Sequence, residues 1–143
     1  NWDTIREAMR LVIHGEQGTA RAIRPESGVE MAGKSGTAQV AAQDEDEDMD
    51  ESTASHLRHH ALFVAFAPFR QPSIVVATVI EHGGGGSKAA APVARDIMLQ
   101  ALYDGTPPLD AYPVADRERI KEQQKRLEGD RRPKARPDGK DRA

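Results

Sequence analysis

Lys34-Ser35-Gly36-Thr37 puts a cation, two hydroxyls and a missing side chain on consecutive residues. That combination suits a ligand carboxylate, which takes hydrogen bonds from the hydroxyls of Ser35 and Thr37 while the ammonium of Lys34 stabilises its charge. Gly36 leaves room for the backbone of an extended ligand, and a strand edge can pair with such a peptide. Strict alternation places Lys34 on the opposite face from Ser35 and Thr37, so its long stem must curl round the strand edge to join them. A four-residue pattern also recurs by chance, and on spacing alone a polar start to a strand is the commoner reason for it.

The other candidates are weaker. His56, His59 and His60 lie beside an acidic run, but in a loop no periodicity converges them on one ion, so a solvated loop is the plainer reading. Asp44, Asp46 and Asp48 imitate the start of a calcium loop, yet Met49 and Ser55 stand where its glycine and bidentate glutamate belong. Gly83–Gly86 lacks the ordered Lys-Ser/Thr of a phosphate loop and reads as a flexible turn. The basic stretch Arg131–Arg136 is interleaved with acids on its flanks, as a solvated tail would be. No metal and no cofactor is expected.

These residues need elements to hold them. Thr4 and Glu7 form a capping box ahead of Ile5, Ala8, Met9 and Val12, which predicts a helix over Asp3–His14 stopped at Gly15. Gly18–Ala20 and Pro25–Gly28 read as loop and turn. Met31–Ala41 carries two glycines and no helical stripe, and reads as a strand. Leu62–Ala67 and Ile74–Glu81 are rich in Val, Ile and Phe, and the five residues between Pro68 and Pro72 make them a hairpin. Apolar residues on both faces of Leu62–Ala67 predict a central strand covered on both sides. Ser87 then caps a helix with Pro92 in its first turn and a buried stripe of Val93, Ile97, Met98, Ala101 and Leu102. The order predicts an α+β unit of three antiparallel strands with flanking helices.

Charge divides the 143 residues further. Residues 44–51 hold seven acids, and residues 116–143 hold 11 Lys/Arg against 7 Asp/Glu. The net charge of -3 therefore combines -7 from one run with +4 from one tail, and the rest is neutral. No nucleic-acid partner is expected from such a distribution. With no cysteine there is neither disulfide nor thiolate chemistry. The longest apolar stretch, Ala61–Ala67, falls far short of the ~20 residues of a membrane helix. Asn1 opens directly on a helix, which reads as an excerpt from a longer chain.

The run Lys34-Ser35-Gly36-Thr37-Ala38-Gln39-Val40 resembles the K-[ST]-G signature of penicillin-binding proteins and serine β-lactamases. With Gly18-Thr19-Ala20 upstream, and HALFVAFAP and EHGGGG downstream, the chain is similar from about Trp2 to Leu102 to the class B transpeptidases of the penicillin-binding protein 2 type. The resemblance implies the C-terminal portion of a transpeptidase fold, with a five-stranded antiparallel sheet, helices on both sides and an all-helical lobe. Residues 1–105 would belong to that domain, with 42–58 as an acidic loop insertion. By composition, residues 106–143 read as a Pro-containing, charged, disordered tail, the alternative being a helix over Val114–Leu127 anchored only by Ile120 and Leu127.

Roles follow from the same resemblance. Lys34 would be the catalytic residue, supporting proton transfer and the field around the substrate. Ser35 and Thr37 would bind the substrate or β-lactam carboxylate, Gly36 would permit close approach, and the Thr37 N–H would be one oxyanion donor. Partners implied are peptidoglycan stem peptides ending in D-Ala-D-Ala, β-lactams, the N-terminal part of the same protein and membrane proteins of cell elongation. The implied location is the periplasmic side of the bacterial inner membrane, with the anchor outside this chain. The family's Ser-x-x-Lys and Ser-x-Asn occur nowhere here, so this chain is expected to be one wall of an active site and inactive alone. The alternatives are a piece of a serine β-lactamase or β-lactam sensor, or a non-enzymatic interaction module.

Overall fold

The computed structural model describes residues 1–40 and 57–131. Helix α1 (Trp2–His14) starts earlier than the capping box implies. Asn1 is the cap, its side-chain oxygen accepting from the Asp3 N–H at 3.2 Å. Glu7 instead grips Arg10 at 2.7 Å. Gly15 does end the helix, its N–H donating to Leu11 O, and any Cβ there would lie 2.6 Å from that oxygen. A short 3-10 turn (Arg21–Ile23) then folds back so that Ile13, Ala20 and Ile23 are buried together.

The sheet has three antiparallel strands in the order β1 (Ala32–Ala38), β2 (His60–Ala67) and β3 (Ile74–Ile80). The expected fold class is thus observed. Strand β1 pairs with β2 in the register Lys34↔Val64, Ser35↔Phe63, Gly36↔Leu62 and Thr37↔Ala61. The pair can approach closely at Gly33, where a Cβ would sit 2.8 Å from the Phe63 ring. The hairpin connection is one residue longer than its prolines suggest, because Ser73 closes the turn through its N–H to Ala67 O.

Strand β2 is central, but among the described residues only one of its faces is fully covered. Ala61, Phe63, Ala65 and Ala67 are buried beneath the helices with Ile13, Met31 and Met98. On the other face Val64 is 44% exposed, beside Val75 and Val79 at 69% and 59%. Apolar residues on that face therefore do not mean that a layer of the described residues lies on it. The open apolar face is a property of the chain as described.

A π-helical turn (Gly86–Ala90) leads into α2 (Ala91–Leu102). Ser87 makes no capping bond. The buried face of α2 is Ala91, Ala94, Arg95, Met98 and Leu99, while Val93 and Ile97 are exposed. Alanines let the helix lie close to β2 and β3, which turns the larger residues at 93 and 97 outward.

The expectation of a disordered tail from residue 106 gives way over 106–131 to two 3-10 turns (Leu109–Ala111 and Val114–Asp116) and, close to the alternative helix over 114–127, to helix α3 (Arg117–Arg131). Ala111, Tyr112 and Ile120 pack with Leu99 in a second small core. Arg95, fully buried, bridges Asp96 at 2.7 Å and Asp116 at 2.5 Å and lies over the Tyr112 ring. Arg117 reaches Tyr112 O and the Glu26 carboxylate, and Gln124 donates to Pro107 O. Of the two anchors expected for a helix here, Ile120 is buried and Leu127 is exposed; composition favours a tail because it counts charges without pairing them. The acidic run, almost all of the expected 42–58 loop, and residues 132–143 lie outside the described residues.

Candidate functional site

Strand β1 is an edge strand among the described residues, with β2 on one side only. In an antiparallel ladder successive residues alternate between facing the partner strand and facing away. A Cβ at Gly86 would lie 2.6 Å and 3.1 Å from the Gly36 oxygen and nitrogen and would also collide with Leu62 O, so those backbone groups face β2. By the period of two, the backbone groups of Ser35 and Thr37 point to the open edge. The Thr37 N–H is thus available there to a ligand.

The side chains complete that edge. Lys34 begins on the opposite face, as alternation demands, and curls until its ammonium donates to Ser35 O at 2.7 Å. The strand's four signature residues therefore meet along one line. Lys34 and Thr37 are exposed, and Ser35 and Gly36 are half-buried. No described residue hydrogen-bonds the hydroxyl of Ser35 or Thr37, so both remain available to a ligand. The arrangement offers two hydroxyls, one backbone N–H and one ammonium to an extended, carboxylate-bearing ligand.

The histidines do more than a solvated loop would require. His59 is buried, and its Nδ1 accepts from the Val40 N–H at 3.3 Å. His60 opens β2, and its Nδ1 accepts from the His82 N–H at 2.9 Å. The His82 Nδ1 lies 3.0 Å from Arg58 O, and the His60 and His82 rings meet edge to face. Among the described residues no group of His, Asp or Glu is arranged to hold a metal. His56 and the calcium-loop look-alike of Asp44, Asp46 and Asp48 lie outside those residues. His14, on α1, accepts the Met31 N–H at Nε2, and burial, with the nearby Arg10 charge, lowers its pKa below the usual histidine value.

Two functional placements escaped the sequence reading. The glycine turn is packed at Gly86 against the backbone beneath Gly36, and its only early signal was four glycines ahead of a helix. The buried arginine of α2 left no signal, because Asp116 lies 21 residues away.

Comparison with known proteins agrees with this geometry. A family model described as the penicillin binding protein transpeptidase domain matches residues 1–99. The Haemophilus influenzae peptidoglycan D,D-transpeptidase MrdA is 33% identical over 131 residues, covering 90% of this chain and 20% of its own. The Acinetobacter baumannii MrdA is 40% identical over 97 residues, covering 65% and 14%. Among solved structures, Pseudomonas aeruginosa PBP2 in complex with WCK 5153 superposes with a TM-score of 0.54 at 42% identity, over 71% of this chain and 19% of that one. Helicobacter pylori PBP2 in complex with MreC gives 0.55 at 33% identity, over 71% and 17%. The chain thus spans about a fifth of the length of the Haemophilus influenzae relative.

Proposed function

The chain belongs to the penicillin-binding protein transpeptidase family, and on that premise we propose that it forms the substrate-edge wall of a peptidoglycan D,D-transpeptidase. The observation that carries this reading is the open edge of β1, where Lys34 curls back to Ser35 O and the Ser35 and Thr37 hydroxyls stand free of described partners. A D-Ala-D-Ala stem peptide lies along that edge as an added strand, its terminal carboxylate on Ser35 and Thr37. Gly36 keeps the ligand backbone close, and the Thr37 N–H holds the carbonyl oxygen as it gains charge.

The reaction is acyl transfer. A serine of a Ser-x-x-Lys motif, which this chain's 143 residues do not contain, attacks the peptide carbonyl and releases D-Ala. The acyl group then passes to the amine of a neighbouring stem peptide. β-Lactams carry a carboxylate and a strained amide in similar positions and acylate the same serine. Lys34 stabilises the carboxylate and supports proton transfer. The relative seen with MreC supports a cell-elongation membrane protein as partner, and the similarity to MrdA supports the periplasmic side of the inner membrane as this domain's location.

Grafting tests the proposal. The whole chain, substituted for the matching segment of Pseudomonas aeruginosa PBP2, should release D-Ala from a pentapeptide stem. A folded graft that releases none would refute it.

A further inference from the structure

We propose that the turn His82–Gly86 is a positioning element that sets the β1 edge from behind, with Gly86 as its seat and His60 as its tether. This inference rests on the transpeptidase reading for its effect on rate, but its structural half stands apart from it. Gly86 is buried against the sheet, and a Cβ there would strike Leu62 O and crowd both polar atoms of the Gly36 backbone. No side chain fits between the turn and the strand. Whatever moves the turn therefore moves Gly36, and with it the adjoining Thr37 N–H.

The turn is held at several points. His82 adopts a left-handed backbone (φ 52°), which a non-glycine residue keeps only when its surroundings impose it. Its N–H is taken by His60 Nδ1 at 2.9 Å, and its own ring meets Arg58 O. Gly84, at φ 84°, donates to His59 O at 2.9 Å. Gly83 has no space for a side chain either, since a Cβ would lie 2.9 Å from Ile80. The turn then enters a π-helical segment, a geometry often found where a functional site displaces a regular helix. Gly85 differs from its neighbours: a Cβ there meets nothing within 4 Å, and its φ of -91° suits any residue. It is an internal control within the same turn.

His60 acts through the turn and touches no substrate. It needs a lone pair on Nδ1 to accept the His82 N–H, a requirement that an asparagine oxygen can meet and an alanine cannot.

The test uses the graft in Pseudomonas aeruginosa PBP2, with labelled penicillin as probe. Gly86→Ala should lower the acylation rate constant by about 10–100-fold, as partial loss of an oxyanion donor does. The dissociation constant before acylation should move much less. Gly85→Ala should match the parent. Hydrogen exchange of the peptide covering residues 32–38 should speed up in Gly86→Ala and not in Gly85→Ala. Should Gly86→Ala fail to fold, His60→Ala and His60→Asn decide: the first should slow acylation and loosen that peptide, and the second should restore both. Equal behaviour of Gly86→Ala and Gly85→Ala, or a His60→Ala variant indistinguishable from the parent, would overturn the proposal. A graft that acylates in no form would instead count against the transpeptidase reading, and the exchange measurement would still judge the positioning.

Discussion

Lys34 and its neighbours show how far residue type alone can be read. A lysine, two hydroxyls and a glycine in sequence suit a carboxylate but do not by themselves outweigh a polar strand start, whereas alternation correctly sets Lys34 on the opposite face and demands that it curl back. We expect Ser35→Ala and Thr37→Val in the graft to raise the penicillin dissociation constant more than they lower the acylation rate, because on the proposed function each removes a hydroxyl that binds the carboxylate. Separation of the two constants by stopped-flow acylation checks this. His14 gives a pH prediction. Its folded pKa lies below the unfolded value near 6.5, so the native state binds fewer protons. Its contribution is complete above that value and is lost as pH falls from there through the lowered folded pKa. The melting temperature should decline over that window, and His14→Gln, which cannot titrate, should flatten the decline. Gly86 was illegible for a physical reason. A residue that matters by having no side chain against a backbone leaves no polar or apolar signature.

Elements were legible where a period governs them and illegible where pairing does. Strands β1, β2 and β3 and helices α1 and α2 fall close to their expected spans because alternation, turn residues and helical spacing fix them locally. The buried face of α2 was misread because small alanines, not the larger Val93 and Ile97, pack on the sheet. Helix α3 docks through Ile120, one of the two anchors expected for it, and the turn before it docks through Asp116 on the buried Arg95, a pairing that composition does not show. Asp116→Ala should therefore cost about 2 kcal/mol, less than the ~3–5 kcal/mol of breaking a buried pair, because Asp96 still holds the guanidinium. Chemical denaturation measures it. Deleting residues 106–143 should destabilise more, since it also exposes Leu99 and removes Tyr112 and Ile120. An unchanged denaturation midpoint after that deletion would mean that the second core contributes nothing.

Among the described residues, the sheet has one face covered by helices and one left open. The helices bury Phe63, Met31 and Met98 on one side of the sheet, and Val64, Val75 and Val79 remain open on the other. An apolar face beside strand edges that no described residue covers favours association, so the 143-residue chain expressed alone should self-associate. Val75→Lys combined with Val79→Lys should suppress this, read by light scattering, while leaving circular dichroism unchanged. Alone, the chain should also form no covalent penicillin adduct, since none of its serines has a lysine three residues on. The central claim is that the β1 edge, led by Lys34, works as the wall of a transpeptidase site. It is tested most directly by the rate at which labelled penicillin acylates the graft carrying Lys34→Ala, set beside Lys88→Ala. Removal of a preorganised charge predicts a loss of about 10²–10³-fold for the first and none for the second, an exposed residue outside the edge. Equal rates for the two variants would contradict the account.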